Sequence, residues 1–302
     1  MNGKNIKKHL NNKLRDWILN IDDESIKKII RDNVIVTGGA IVSLLTGEKL
    51  HDYDVYFRTK EACLAVATYY VGKWNEMHPD KPVSVRCDDK TGKIDCFVSS
   101  KGIADEDEVK TSDISYNFAS TEEEIEEALE QETENEKYRP RFITSNAITL
   151  TDKVQLVIRF YGEVEEIHKN YDFAHCTCAW SSWDNELFLP EKALECIINK
   201  ELYYIGSKYP LCSIVRTRKY LERGYHINAG QYVKMCFQLN ELDLKDVKVL
   251  EDQLTGVDTT YFKMMVDAIQ KHMEETGEER VDATYAMNLI NKLSAWRMRQ
   301  EK

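Results

Sequence analysis

Asp52 and Asp54 are the side chains in this sequence best placed to do chemistry. They stand in HDYDVYF, where Tyr53, Val55 and Phe57 alternate with Asp52, Asp54 and Tyr56. That is the period of a β-strand, so both carboxylates project from one face. Hard oxygen ligands held this way suit Mg²⁺, which bridges protein carboxylates and triphosphate oxygens. Two such ions can activate a hydroxyl nucleophile and stabilise a departing pyrophosphate. Upstream, the apolar run Val34 to Val36 meets Gly38-Gly39, ahead of a short helix carrying Ile41, Leu44 and Leu45 that closes near Gly47. Glycines between a strand and a helix let the backbone approach a phosphate, and the helix start offers unpaired N–H groups to that anion. A bare Asp-x-Asp is usually two solvated residues, and a bare Gly-Gly a tight turn. Joined in this order over residues 38–57, GGAIVSLLTGEKLHDYDVYF, they read as one phosphate-and-metal constellation.

That segment resembles the head motif of the nucleotidyltransferase superfamily, in the branch of poly(A) polymerases and CCA-adding enzymes. The motif runs Gly-Gly, a short helix ending in Leu-x-Gly (here Leu45-Thr46-Gly47), then Asp-x-Asp in a strand. The chain as a whole is similar to nucleotidyltransferase-like proteins carried by bacteriophages. The resemblance implies an α+β fold, with a polymerase-beta-like mixed-sheet head followed by a helical C-terminal domain. It implies metal-ligating, catalytic roles for Asp52 and Asp54 and triphosphate contacts for Gly38 and Gly39. Two Mg²⁺ ions are the implied cofactors, with Mn²⁺ as an alternative. Where the CCA-adding pattern has an Arg-Asp pair this chain has Val42-Ser43, so no role of that pair is carried over.

The superfamily also uses a third carboxylate from a neighbouring strand, and two residues compete for it. Asp172 opens DFAHCTCAW, read as a strand from Asp172 to Ala179; Asp95 lies in the apolar strand IDCFV, where a carboxylate needs a partner. Asp172 is favoured because its segment follows an ordered hairpin. His175 is read as a packed histidine, and Cys176 and Cys178 as packing rather than a soft-metal pair. Trp180 and Trp183 are read as core or rim aromatics before base-stacking ones.

A second informative stretch is PLCSIVRTRKYLERGYHI, where Arg216, Lys219 and Arg223 recur at helical spacing as one basic stripe. Ile214, Tyr220 and Leu221 are expected on the core side. Basic stripes are usually solvated faces, but this one lies in a run from Lys208 to Lys234 holding six basic residues and one acidic. It loosely resembles the arginine-rich helix after the head of CCA-adding enzymes, so nucleotide or nucleic-acid phosphate binding stands beside the solvated reading.

The elements that must position these groups follow from the rest of the pattern. Residues 4–32 read as amphipathic helices with Asp22 or Asp23 as a cap, and Lys60 to Trp74 as another helix. Strands are expected at Val83–Cys87 and Ile94–Val98, then a hairpin of Asn146–Leu150 and Val154–Arg159 turned at Thr151-Asp152-Lys153. A short helix is expected from Gly162 to Lys169. After Pro190 the signals are helical: Glu191–Lys200, Leu211–Arg223, Ala229–Leu239 and closing helices from Tyr261 to Arg299. The expected division is a head at 1–185 with an insertion at 101–137, and a helical domain at 186–302.

That insertion holds fourteen acidic and three basic side chains, a difference of −11, which equals the net charge of the 302-residue chain. The rest sums to zero, which suits a short or locally bound RNA and argues against a long non-specific nucleic-acid track. No apolar run is long enough to span a membrane, the N-terminus has no apolar core of a signal peptide, and the eight scattered cysteines contain no CxxC pair. A protein of the cytoplasm (the host's, for a phage) without membrane partners is the expectation. The leading functional reading is transfer of a nucleoside monophosphate from an NTP such as ATP to an acceptor hydroxyl, foremost an RNA 3′ end. The alternatives are a toxin-like or regulatory enzyme modifying a protein or other host macromolecule, and an inactive binding protein of the same fold.

Overall fold

The computed structural model describes residues 1–80, 82–98, 137–254, 259–277, 282 and 284–289. The acidic insertion, apart from Lys137, and the end of the closing helices lie outside the described residues. Two compact units divide the chain between Glu201 and Leu202. The first unit contains, in order, α1 (Gly3–Leu19), α2 (Glu24–Asn33), β1 (Val34–Thr37), α3 (Gly39–Thr46), β2 (Tyr53–Phe57) and α4 (Lys60–Met77). It continues with β3 (Val83–Cys87), β4 (Ile94–Val98), β5 (Pro140–Ile143), β6 (Ala147–Leu150), β7 (Val154–Tyr161) and α5 (Val164–His168). A 3₁₀ turn at Ala174–Cys176 leads to β8 (Ala179–Ser181), β9 (Leu187–Phe188) and α6 (Glu191–Asn199). The second unit contains α7 (Pro210–Glu222), α8 (Ala229–Leu239), α9 (Val247–Leu254) and α10 (Thr259–Thr276).

Seven strands of the first unit form one mixed sheet in the order β5-β6-β7-β2-β1-β8-β9, and β3 and β4 pair separately. Only β2 against β7 is parallel; the other pairs of the large sheet are antiparallel. This is the α+β arrangement of a mixed-sheet head with a helical part after it.

The alternation of side chains across β1 and β2 decides which face does what. Val34, Val36, Val55 and Phe57 point into the large core, where Ile6, Leu10, Leu14 and Trp17 of α1, Ile26 and Ile30 of α2, and Val66, Ala67 and Tyr70 of α4 meet them. Burying each such aliphatic or aromatic side chain stabilises the head by roughly 1.5–3 kcal/mol. The helices start where local chemistry allows: Asp23 accepts from the Ser25 and Ile26 N–H groups, and Thr59 accepts from the Ala62 N–H. Gly47 ends α3 in the left-handed conformation. On the opposite sheet face, Ile35, Tyr56 and Ala179 pack with Ile167, bordered by Tyr171 and Trp183.

Two expectations are corrected. Residues 172–178 are not a strand. The chain turns there, with Cys176 N donating to Phe173 O and the Thr177 hydroxyl to Ala174 O, and only Ala179–Ser181 joins the sheet. On α7, Leu221 is 42% exposed rather than core-facing. The buried residues of that helix are Pro210, Cys212, Ser213 and Thr217, and the two hydroxyl side chains among them do not read as core from their type. Among the described residues no cysteine is in a disulfide, and burial pushes the Cys63, Cys96 and Cys178 thiols up to about 12, so these three are inert. No described helix is long and apolar enough to cross a membrane.

Candidate functional site

The junction of β1 and α3 is built around one glycine. Gly38 has φ +77° and ψ −142°, a backbone conformation that L side chains rarely adopt. A Cβ placed there would stand 3.2 Å from Asp54 Oδ2 and 3.5 Å from the Tyr171 hydroxyl. Both facts demand glycine, and the second shows that the Asp54 carboxylate faces the bend. At Gly39, the first residue of α3, a Cβ would meet nothing within 4 Å, so the start of the helix is open.

Register places Asp54 there. In the antiparallel pairing of β1 with β2, Thr37 is opposite Asp54 and Ile35 opposite Tyr56, and β7 puts Gln155 beside Asp54 on the other side. Asp54 is half-buried. Tyr171 has its hydroxyl end enclosed in the same recess, where burial, with Tyr56 and Asp54 beside it, holds the phenol well above its usual range. Thr37 is fully buried; its hydroxyl donates to Cys178 O at 2.9 Å and meets His168 Nε2 at 2.8 Å. A hydroxyl has one proton, so the histidine must donate, which fixes the neutral tautomer with its hydrogen on Nε2. Burial pushes His168 down to about 4, against a smaller opposing pull from Glu165.

Asp52 is exposed and immediately precedes β2. Among the described residues no three His, Cys, Asp or Glu side chains are gathered as a metal cluster. A pair of carboxylates at a strand edge nevertheless fits Mg²⁺, which binds through one or two carboxylates while phosphate and water oxygens fill the remaining positions. Asp52 and Asp54 would hold such an ion.

Asp172 is buried on the bend that follows Tyr171. Asp95 lies on the separate two-stranded sheet opposite Arg86, whose Nε and Nη2 each reach its carboxylate at 3.3 Å, with Lys93 at 3.7 Å. The partner that an aspartate in IDCFV needs is therefore a local arginine. His175 is buried on the 3₁₀ turn with Nε2 3.2 Å from Cys176 Sγ, a packed histidine. Trp180 is buried and donates to Asn185 Oδ1, and Trp183 carries the Arg58 guanidinium 4.6 Å above its ring. In the second unit, Arg216, Lys219 and Arg223 are all exposed along one side of α7 and its C-cap, and Arg218 pairs with Glu222.

Sequence reasoning missed Thr37, Tyr56, His168 and Tyr171. The first two had a signal, since Thr37 precedes Gly38 and Tyr56 shares the face of Asp54. His168 and Tyr171 had none, because they reach the recess only through tertiary packing.

A direct consequence concerns the two glycines. Gly38→Ala should destabilise the head by about 1–3 kcal/mol, because the backbone strain is intrinsic and the new methyl presses on Asp54. Gly39→Ala should leave the unfolding midpoint unchanged. Thermal unfolding of both variants checks this, and equal behaviour would contradict the geometry.

The mixed sheet with its helices, followed by a helical part, defines an α+β protein in which a half-buried carboxylate faces a glycine bend. Solved structures similar to the chain are CCA-adding enzymes of the nucleotidyltransferase superfamily. The Thermotoga maritima CCA-adding enzyme complexed with tRNA is 12% identical with a TM-score of 0.37, over 85% of this chain and 54% of that one. A tRNA-processing enzyme in an apo form is 13% identical with a TM-score of 0.39, over 95% and 74%. The chain belongs to the Gabija anti-defense 2 family, whose model matches residues 8–200. A curated relative, "Gabija anti-defense 2" of Bacillus phage SPbetaL7, is 20% identical over 240 residues, 78% of this chain. The chain spans 45% of that relative's length.

Proposed function

We propose that this protein is a metal-dependent nucleotidyltransferase that moves a nucleoside monophosphate from an NTP to an acceptor hydroxyl. The observation that carries the reading is the glycine recess, in which Gly38 leaves room against Asp54 Oδ2 while the start of α3 stands open beside it. A triphosphate on the open N–H groups of α3 would lie next to the carboxylate pair. The acceptor oxygen attacks the α-phosphorus, the α–β anhydride bond breaks, and pyrophosphate leaves with the negative charge. Asp52 and Asp54 would hold divalent ions that stabilise this charge. Asp172 is the proposed third carboxylate, taking the hydroxyl proton. Gly38 and Gly39 are assigned to triphosphate binding, and Arg216, Lys219 and Arg223 to phosphate neutralisation from the exposed face of α7.

An RNA 3′ end is the proposed acceptor class. A second reading rests on the family: a relative named as an anti-defence protein of a phage favours an acceptor that is a macromolecule of a host defence system, in the host cytoplasm. Purified protein with Mg²⁺ and each labelled NTP, offered tRNA, an RNA oligonucleotide and host lysate protein, tests both. Label on RNA supports the first reading and label on a protein the second. No transfer in any combination, and no metal-dependent NTP binding, would overturn the proposal.

A further inference from the structure

Tyr53 lies between the two aspartates, so its side chain leaves β2 on the face opposite Asp54, where it lines a different cavity. That cavity has a volume of about 440 Å³ and lies among α1, the loop before β2 and the β6–β7 turn. Its polar lining is His9, Lys13, Lys49, Tyr53, Asp152 and Lys153. Three lysines and one aspartate therefore line it.

The lysines are held but not neutralised. Lys13 Nζ donates to the backbone carbonyl of Asp152 at 2.7 Å and stands 5.3 Å from the centre of the Tyr53 ring and 4.6 Å from that of Tyr138. Lys153 Nζ donates to the Leu50 carbonyl at 3.1 Å. Lys49 makes no ion pair among the described residues, and neither do Lys13 and Lys153. Neutral carbonyls and ring faces fix an ammonium in place while leaving its charge available. His9 Nε2 and the Tyr53 hydroxyl, 2.6 Å apart, add a polar wall. The turn itself sets the aim, since Asp152 and Lys153 both have positive φ, 62° and 61°.

The surrounding charges do not cancel this excess. Lys137 adds another positive group near Lys13, and Asp16 another carboxylate, which is already engaged by the Tyr138 hydroxyl at 2.8 Å and by Lys137 at 3.3 Å. Asp152 Oδ2 accepts from the Tyr138 N–H. Burial holds the Lys13 ammonium below its ordinary range, with Asp152 and Asp16 opposing and Lys137 and Lys153 adding to the effect; His9 is lowered by burial and then by Lys13. A half-buried cation crowded by other cations is the environment that an incoming anion stabilises.

We infer that this cavity is a phosphate-binding site, separate from the carboxylate recess, in which Lys13, Lys49 and Lys153 hold a phosphate group. The phosphate can come from free pyrophosphate or nucleotide or from the backbone of an oligonucleotide. The site requires no divalent ion, because the charge is supplied by the lysines. It stands whether or not the head transfers nucleotides.

Isothermal titration calorimetry of the full chain in EDTA at low ionic strength tests the inference, with pyrophosphate in one arm and hexauridylate in the other. EDTA removes the ions through which the carboxylate pair would hold phosphates, so the result does not depend on the transfer reaction. Wild-type protein should bind in a salt-sensitive manner. The double variant Lys49→Ala/Lys153→Ala should bind about tenfold more weakly or worse, as expected for loss of two charged contacts. A second variant, Lys49→Glu, alters only an exposed loop and should weaken binding at an unchanged unfolding midpoint. Tighter binding of hexauridylate than of pyrophosphate assigns the site to a nucleic-acid strand, and the reverse order to a free phosphate compound. Absence of binding in both arms, or affinities that neither variant changes, would overturn the assignment.

Discussion

Replacing Asp54 by Asn should lower metal-dependent transfer on the order of a thousandfold, about 4 kcal/mol of transition-state stabilisation. The protein should meanwhile unfold at the same temperature or a higher one. Asparagine keeps the shape of the side chain, the strand register opposite Thr37 and the clearance above Gly38. What it loses is the negative charge through which the ions would be held. Asp52, a second carboxylate, stands two residues before half-buried Asp54, so removing one of the two charges relieves like-charge repulsion. A catalytic charge is thus separated from a structural one by the direction of the stability change. Single-turnover rates with Mg²⁺, compared with unfolding midpoints of the same preparations, decide it. A variant that loses activity only in proportion to lost folded protein would make Asp54 structural. Asp52→Asn should show a smaller effect, because its exposed carboxylate precedes the strand and is less rigidly held.

The sequence was most legible where one local rule acted alone. Ala229–Leu239 is a helix with the expected bounds, Asp23 caps α2, Gly47 closes α3, and the hairpin turns at Thr151-Asp152-Lys153. Each of these depends on neighbours within a few residues. The segment after Asp172 looked like a strand because Phe173, Cys176 and Cys178 are apolar and close together. Hydroxyl and backbone bonds among Phe173, Ala174 and Thr177 made a turn instead, and alternation cannot anticipate that competition. The β5 strand, beginning at Pro140, carries no strand signature and exists because β6 offers it an edge. Asp95 looked like a candidate ligand until Arg86, nine residues upstream, was placed across from it.

The site divides in the same way. Gly38, Asp52 and Asp54 were visible because they are close in the chain and of types that few structural roles require together. The recess around them was not. Thr37 and His168 are 131 residues apart, and Tyr171 comes from a bend with no periodic pattern. These groups set how enclosed the Asp54 carboxylate is, so the local motif could be read along the chain while the packing around it could not. The same limit applies on α7, where the basic stripe was readable from its spacing, but the burial of Ser213 and Thr217 was not.

His168 should make the stability of the head fall as pH drops from about 6.5 to about 4. Its folded value is held at about 4 by burial, against an ordinary 6.5. The unfolded chain therefore takes up a proton at this residue first, and each step downward in that window favours unfolding. The contribution is fully present above 6.5, is lost on the way to 4, and amounts to about 3 kcal/mol in total. Below 4 both states are protonated and the slope from this residue vanishes. His168→Gln is the control, since its amide can still donate to Thr37 but does not titrate. Urea unfolding at steps between pH 4 and 7.5 should show a slope for wild type that is much reduced in the variant. His9 adds a smaller slope of the same sign to both proteins. Asp16, Asp23, Asp88 and Asp184, held below their ordinary values, also act in both proteins and chiefly at still lower pH. Parallel curves would mean that His168 is accessible to protons in the folded head, and that the Thr37 contact is not maintained in solution.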